Sequence, residues 1–87
     1  MINLDDIFIK NLPTLDLHGT TRDIAKVILI DFINDNAYLE NKKLVVIHGI
    51  GLGIIRKAVH DELKSNKLIS SYNIDPYNSG ITVINLK

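Results

Sequence analysis

Twice in this chain a short apolar run ends in a His-Gly pair and gives way to helical periodicity: "LDLHGTT" at Leu15–Thr21 and "VVIHGIGLGIIRKAV" at Val45–Val59. A strand that leaves into a helix and then returns as another strand needs a crossover connection. The two strands are then parallel and both run out at the same edge of a sheet. This repeat, more than any bulk property, restricts what the chain can fold into. With 87 residues there is room for one domain.

The remaining pattern completes the order. Leu15–Leu17 reads as the first strand, and "GTTRD" as a helix start in which Thr20 caps the free amides and Asp23 reaches back as in a capping box. The helix runs to Leu39, with Ala25, Ile28, Leu29, Phe32 and Leu39 on one face and Ile24 and Val27 widening it. "LVVI", Leu44–Ile47, is a continuous apolar run of the kind buried on both faces. Ile55, Ala58, Val59 and Leu63 mark a second helix. "LISSYNI" and "ITVINL" are strands joined by the turn-forming "DPYNSG". The prediction is an α/β two-layer sandwich of order β-α-β-α-β-β, with a mixed four-stranded sheet whose last strand is antiparallel. Residues 1–13 form an N-terminal extension to a domain at 14–87. That extension carries Ile2, Leu4, Ile7, Phe8 and Ile9, which either lie against the body or add a short strand.

Ligands of open α/β sheets gather beyond the carboxyl ends of the strands. His18 and His48 both stand there, so both imidazoles are predicted on one rim, close enough to contact one phosphodiester. Asp16, two residues before His18, points the same way along the strand and can fix its tautomer. The glycines let a backbone approach phosphate, and the helix N-terminus after Gly53 favours an anion. Arg22 and Arg56 each fall in the first turn of a helix, where the dipole disfavours cations. Their presence therefore suggests a negatively charged ligand. A dinucleotide fingerprint is rejected: the spacing is G-x-G-x-G after the second strand, and Ile69 stands where an acid is needed. Gly51 and Gly53 taken alone read as turn formers. His60 reads as a helix-surface residue, and Asp5 and Asp6 as a solvated pair.

Bulk properties mainly exclude. Hydrophobic residues at 46% argue against disorder, and the absence of cysteine removes disulfides and thiolate zinc sites. Ten basic residues balance ten acidic ones, so any basic footprint comes from local clusters. Lys42, Lys43, Lys64 and Lys67 read as solvated. No apolar stretch reaches the ~20 residues of a membrane span, and the start lacks a signal-peptide pattern. The chain is therefore expected to be cytoplasmic, monomeric and away from membranes, without cofactor or metal.

"LDLHG" at Leu15–Gly19 and "HGIGLGIIR" at His48–Arg56 together resemble the two hallmarks of the Smr (small MutS-related) domain, in order and spacing. The resemblance covers Leu15 to Leu86. It implies a β-α-β-α-β-β sandwich similar to the C-terminal domain of a bacterial translation initiation factor. It also implies nucleic-acid work: DNA nicking, or cleavage of mRNA at stalled ribosomes. Asp16 and His18 are carried over as catalytic, and His48, Gly49, Gly51 and Gly53 as binding or cleaving the backbone. Relatives with Arg in place of His18 are the non-cleaving form, so the resemblance places this chain with the cleaving one. In the family's last loop the usual Gly-Gly and Ala-Thr are reduced here to Gly80 and Thr82.

The function so implied is an endonuclease on nucleic acid, RNA favoured, with the ribosome as a partner. The alternative is a non-catalytic nucleic-acid or ribosome-docking module. Two imidazoles and one acid at the rim suit attack by the ribose 2′-hydroxyl better than two-metal hydrolysis. One imidazole would serve as base and the other as acid, giving a bell-shaped pH profile, with Arg22 and Arg56 clamping phosphate oxygens.

Overall fold

The computed structural model describes residues 11–87. Within them the chain forms β1 (Thr14–Asp16), α1 (Arg22–Tyr38), β2 (Lys43–Ile47), α2 (Ile54–Ser65), β3 (Ile69–Asp75) and β4 (Asn78–Leu86). The sheet order is β1-β2-β4-β3, with β1 and β2 parallel and β4 antiparallel to both of its neighbours. The α/β class and the mixed sheet are as the sequence predicts. The apolar side chains of the extension, and Asp5 and Asp6, lie outside the described residues.

Both helices pack on one face of the sheet. Alternation along the strands turns Leu17, Leu44, Val46, Ile84 and Leu86 inward, where they meet Ala25, Leu29 and Ile33 of α1 and Val59 and Leu63 of α2. At ~25 cal/mol per Å² of apolar surface, each fully buried aliphatic side chain stabilises by ~1.5–3 kcal/mol relative to exposure. This shared cluster is what holds the layers together.

Three local features differ from the sequence reading. The N-cap of α1 is Thr21, whose hydroxyl accepts from the Ile24 amide at 3.4 Å, while Thr20 Oγ1 donates to the Leu17 carbonyl at 2.6 Å. Thr20 thus closes the turn after β1 and leaves the cap to its neighbour. The buried stripe of α1 is also narrower than its composition suggests: Ile24, Val27, Ile28 and Leu39 are exposed, whereas Ile33 is fully buried. α1 borders the sheet along one line only, so the flanking positions face water. Finally, "DPYNSG" is mostly strand: β4 begins at Asn78, leaving Pro76 and Tyr77 as a tight turn in which Asp75 Oδ1 accepts from the Tyr77 amide at 2.7 Å. Among the described residues no helix is long and apolar enough to cross a membrane.

Candidate functional site

Asp16 pairs with Ile47, and Ile47 in turn with Ile81, so β1 and β2 end where β4 enters the sheet. The Leu17 amide donates to the Ile47 carbonyl at 2.7 Å, which carries the β1–β2 ladder one step further. Both His-Gly turns therefore leave one edge. His18 and His48 line the same cleft of about 510 Å³, together with Gly49, Leu52, Gly53 and Arg56.

The register decides what each histidine does there. With Asp16 opposite Ile47, Leu17 falls beside His48, and His18 beside Gly49. A Cβ on Gly49 would lie 3.3 Å from that of His18. Alternation turns Leu17 and His48 toward the helices and Asp16 and His18 away from them. His48 is accordingly 4% exposed, while the His18 side chain is 72% exposed.

His18 and Asp16 form the solvent-facing pair. Nδ1 lies 2.6 Å from Asp16 Oδ1, and the same oxygen accepts the His18 backbone amide at 3.1 Å. The hydrogen bond to Asp16 raises the imidazole's pKa above its ordinary value, and the same bond lowers that of the carboxyl. A carboxylate can only accept, so the proton sits on Nδ1, and Nε2 is left as the nitrogen that can take up another.

His48 is committed to the interior. Its Nδ1 lies 3.1 Å from the Gly49 carbonyl and its Nε2 lies 2.8 Å from Thr82 Oγ1, whose other partner is His60 Nε2, also at 2.8 Å. The carbonyl accepts, so His48 carries its proton on Nδ1, and Nε2 accepts from the Thr82 hydroxyl. That hydroxyl in turn accepts from His60 Nε2–H. Burial lowers the pKa of both imidazoles, keeping them neutral. His60 also packs on Tyr72, with ring centroids 5.2 Å apart. It is a half-buried member of a network, not the surface residue the sequence suggested.

Gly80 backs the loop. Its carbonyl accepts the amides of His48 and Gly49, at 2.9 and 3.0 Å. A Cβ on Gly80 would meet the Gly49 carbonyl carbon at 3.1 Å, a tight contact that would push the two backbones apart by a few tenths of an ångström. Gly49, Gly51 and Gly53 all have positive φ. α2 starts at Gly53 without a side-chain cap, and the Arg56 guanidinium curls back over that glycine: a Cβ there would be 3.1 Å from one terminal nitrogen. Cation and amide-rich helix end thus share the mouth of the cleft, which favours an anion.

Arg22 is not brought to this cleft. It borders a groove between the helices with Asp23, Lys26 and Asp61. No group of three or more metal-ligating side chains comes together among the described residues. Sequence reasoning missed His60 and Thr82 as site components. Thr82 carried a signal: it is in phase with Ile84 and Leu86, and a hydroxyl on a buried face requires a partner.

The Smr domain pattern matches residues 15–87. An endonuclease MutS2 of Halothermothrix orenii is 38% identical over 78 residues, covering 86% of this chain and 10% of that protein. Another, from Streptococcus equi subsp. equi, is 45% identical over 76 residues, covering 83% of this chain and again 10% of the relative. The chain therefore spans about a tenth of the length of these relatives. The crystal structure of the Smr domain of Thermus thermophilus MutS2 superposes with a TM-score of 0.85 at 26% identity, covering 87% of this chain and 99% of that one. YdaL, a stand-alone small MutS-related protein of Escherichia coli, shares the fold, with a TM-score of 0.80 at 20% identity over 85% of this chain and 63% of its own. Motifs, topology and relatives agree, and the chain belongs to the Smr domain family.

Proposed function

We propose that this chain binds nucleic acid in the cleft and cleaves a phosphodiester bond, with RNA as the favoured substrate and His18 as general base. One observation carries the reading: an exposed imidazole held 2.6 Å from a carboxylate, on a cleft that also holds Arg56. The MutS2 relatives are named endonucleases, which supports the reaction class.

In this reaction His18 Nε2 removes the 2′-hydroxyl proton, the 2′-oxygen bonds to phosphorus, and the P–O5′ bond breaks. The leaving oxygen then takes a proton from solvent, and a 2′,3′-cyclic phosphate remains. Asp16 stays ionised and stabilises the imidazolium. Arg56 and the α2 amides stabilise charge on the non-bridging oxygens. Gly49, Gly51 and Gly53 let the backbone approach the phosphate. His48, with both ring nitrogens engaged inside the fold, is a positioning residue that fixes the Gly49 carbonyl. The nucleophile comes from the substrate, so no metal-activated water is required. A stalled ribosome, with its exposed message, is the natural setting for such a cut.

The test is incubation with a labelled single-stranded RNA, the same RNA with one 2′-deoxy nucleotide at the scissile position, and nicked and branched DNA, all with chelator present. The wild type is expected to cut only the all-ribose strand, and His18→Ala to cut nothing. Efficient cutting of the 2′-deoxy strand would refute the 2′-hydroxyl route. Binding without cleavage would leave a docking module.

A further inference from the structure

The glycine loop exposes more apolar surface than a phosphate site needs. Ile50 and Leu52 are 77% and 93% exposed, and Leu52 is the most exposed large apolar side chain among the described residues. Single exposed aliphatics are ordinary. These two, however, alternate with glycines on one loop and line the cleft that contains His18 and Arg56. The Arg56 guanidinium sits over Gly53, immediately after Leu52. The lip therefore presents a cation and two apolar groups side by side.

A ligand that satisfies both must be a polyanion with apolar faces next to its phosphates. A polynucleotide with unpaired bases has that chemistry. A duplex keeps its base faces within the stack and offers only phosphates and groove edges at such a lip. Aliphatic side chains are suited to lie against an unstacked base, as leucine and isoleucine do where proteins wedge base steps apart.

We propose that Ile50 and Leu52 hold an unpaired base beside the phosphate bound at Arg56, so that the loop selects single strands over duplexes. This rests on the proposed function, because it assumes nucleic acid in the cleft. It adds a substrate form, and it assigns that selection to two side chains that the family motif leaves unspecified.

The experiment uses a single-stranded RNA with one 2-aminopurine, the same strand hybridised to its complement, the wild type and an Ile50→Ser/Leu52→Ser variant. Both side chains are exposed, so the variant should keep the wild-type unfolding midpoint. The wild type is expected to bind the single strand more tightly than the duplex and to raise 2-aminopurine fluorescence as the base unstacks. The variant should lose about tenfold in single-strand affinity, equivalent to about 1.4 kcal/mol, along with the fluorescence rise. Its duplex affinity should change less than twofold. Leu52→Met, which stays apolar, should behave as wild type. Equal losses on both substrates, a preference for duplex, or unchanged single-strand affinity in the variant would overturn the inference while leaving the proposed function standing. Binding of neither substrate at low salt would overturn both.

Discussion

Thr82→Val keeps the shape of a fully buried side chain and removes only the hydroxyl that joins His48 to His60. Two partners are then stranded unequally. His48 Nε2 is sealed inside the fold and loses the hydroxyl that donates to it, whereas His60 is half-buried and can turn to water. A buried polar group left unsatisfied costs ~1–3 kcal/mol, so one sealed nitrogen gives ~2 kcal/mol. For a domain of this size that corresponds to a fall of roughly 8–16 °C in unfolding midpoint. Thermal and denaturant unfolding of the two proteins measure the loss. Long-range ¹H–¹⁵N spectra of the wild type measure its premise, a neutral His48 with its proton on Nδ1. A loss under ~0.5 kcal/mol, the size of an ordinary surface change, or a His48 protonated on Nε2, would refute the bond directions assigned to this network.

Other substitutions separate the roles at the cleft. His18→Ala should abolish cleavage with little change in affinity. Arg56→Ala should weaken binding and reduce the salt slope by about one while leaving cleavage at saturation, and equal affinity losses in the two would contradict this division. Asp16→Asn removes the carboxylate that raises the His18 pKa, so the acid limb of the cleavage profile should move to lower pH, and an unmoved limb would show that His18 is not the titrating base. Gly80→Ala places a methyl 3.1 Å from the Gly49 carbonyl carbon. Overpacking of that kind costs ~1–3 kcal/mol, to be read as a lower unfolding midpoint with reduced cleavage.

Periodicity and the repeated His-Gly pair made the elements, their order and the shared edge legible in the sequence. Register was not legible. Aligning "LDLHG" with "VVIHG" matches histidine to histidine, but the ladder matches Asp16 to Ile47 and so offsets the two by one residue. Because strand side chains alternate, that single step sends one imidazole outward and the other inward. The sequence reading treated them as equivalent members of an acid–base pair. The geometry supports one titrating imidazole at the reaction centre, and hence a profile with one imidazole limb in place of a bell. Pairing between strands separated by a whole helix and its loops is set by the whole packed sheet, and no local pattern reports it. The same limit explains His60, whose partner Thr82 arrives from β4 on the far side of the chain.

The three histidines also make opposing contributions to stability as pH changes, which gives a test independent of any substrate. His18 has a folded pKa above the ordinary imidazole value of 6.5, because Asp16 binds its charged form. Between that raised value and the ordinary one the folded state holds more protons than the unfolded state, so stability increases as pH falls. His48 and His60 have folded pKa values below 6.5, chiefly through burial. Below the ordinary value the unfolded chain takes up protons that these two sites refuse, so stability falls as pH falls further. Asp16 and Asp61 are both shifted downward from 3.8 and do not titrate in this window. The expected outcome is a stability maximum on the alkaline side of pH 6.5, because two imidazoles refuse protons where one holds them, measured as denaturant midpoint between pH 5 and pH 8. Asp16→Asn should remove the rise on the alkaline side and leave the acid-side fall, since it acts on His18 alone. A midpoint with the same pH dependence in the wild type and in Asp16→Asn would mean that the Asp16–His18 pair is not formed in solution. One that falls steadily from pH 5 to pH 8 would mean that His48 and His60 are not held neutral inside the fold.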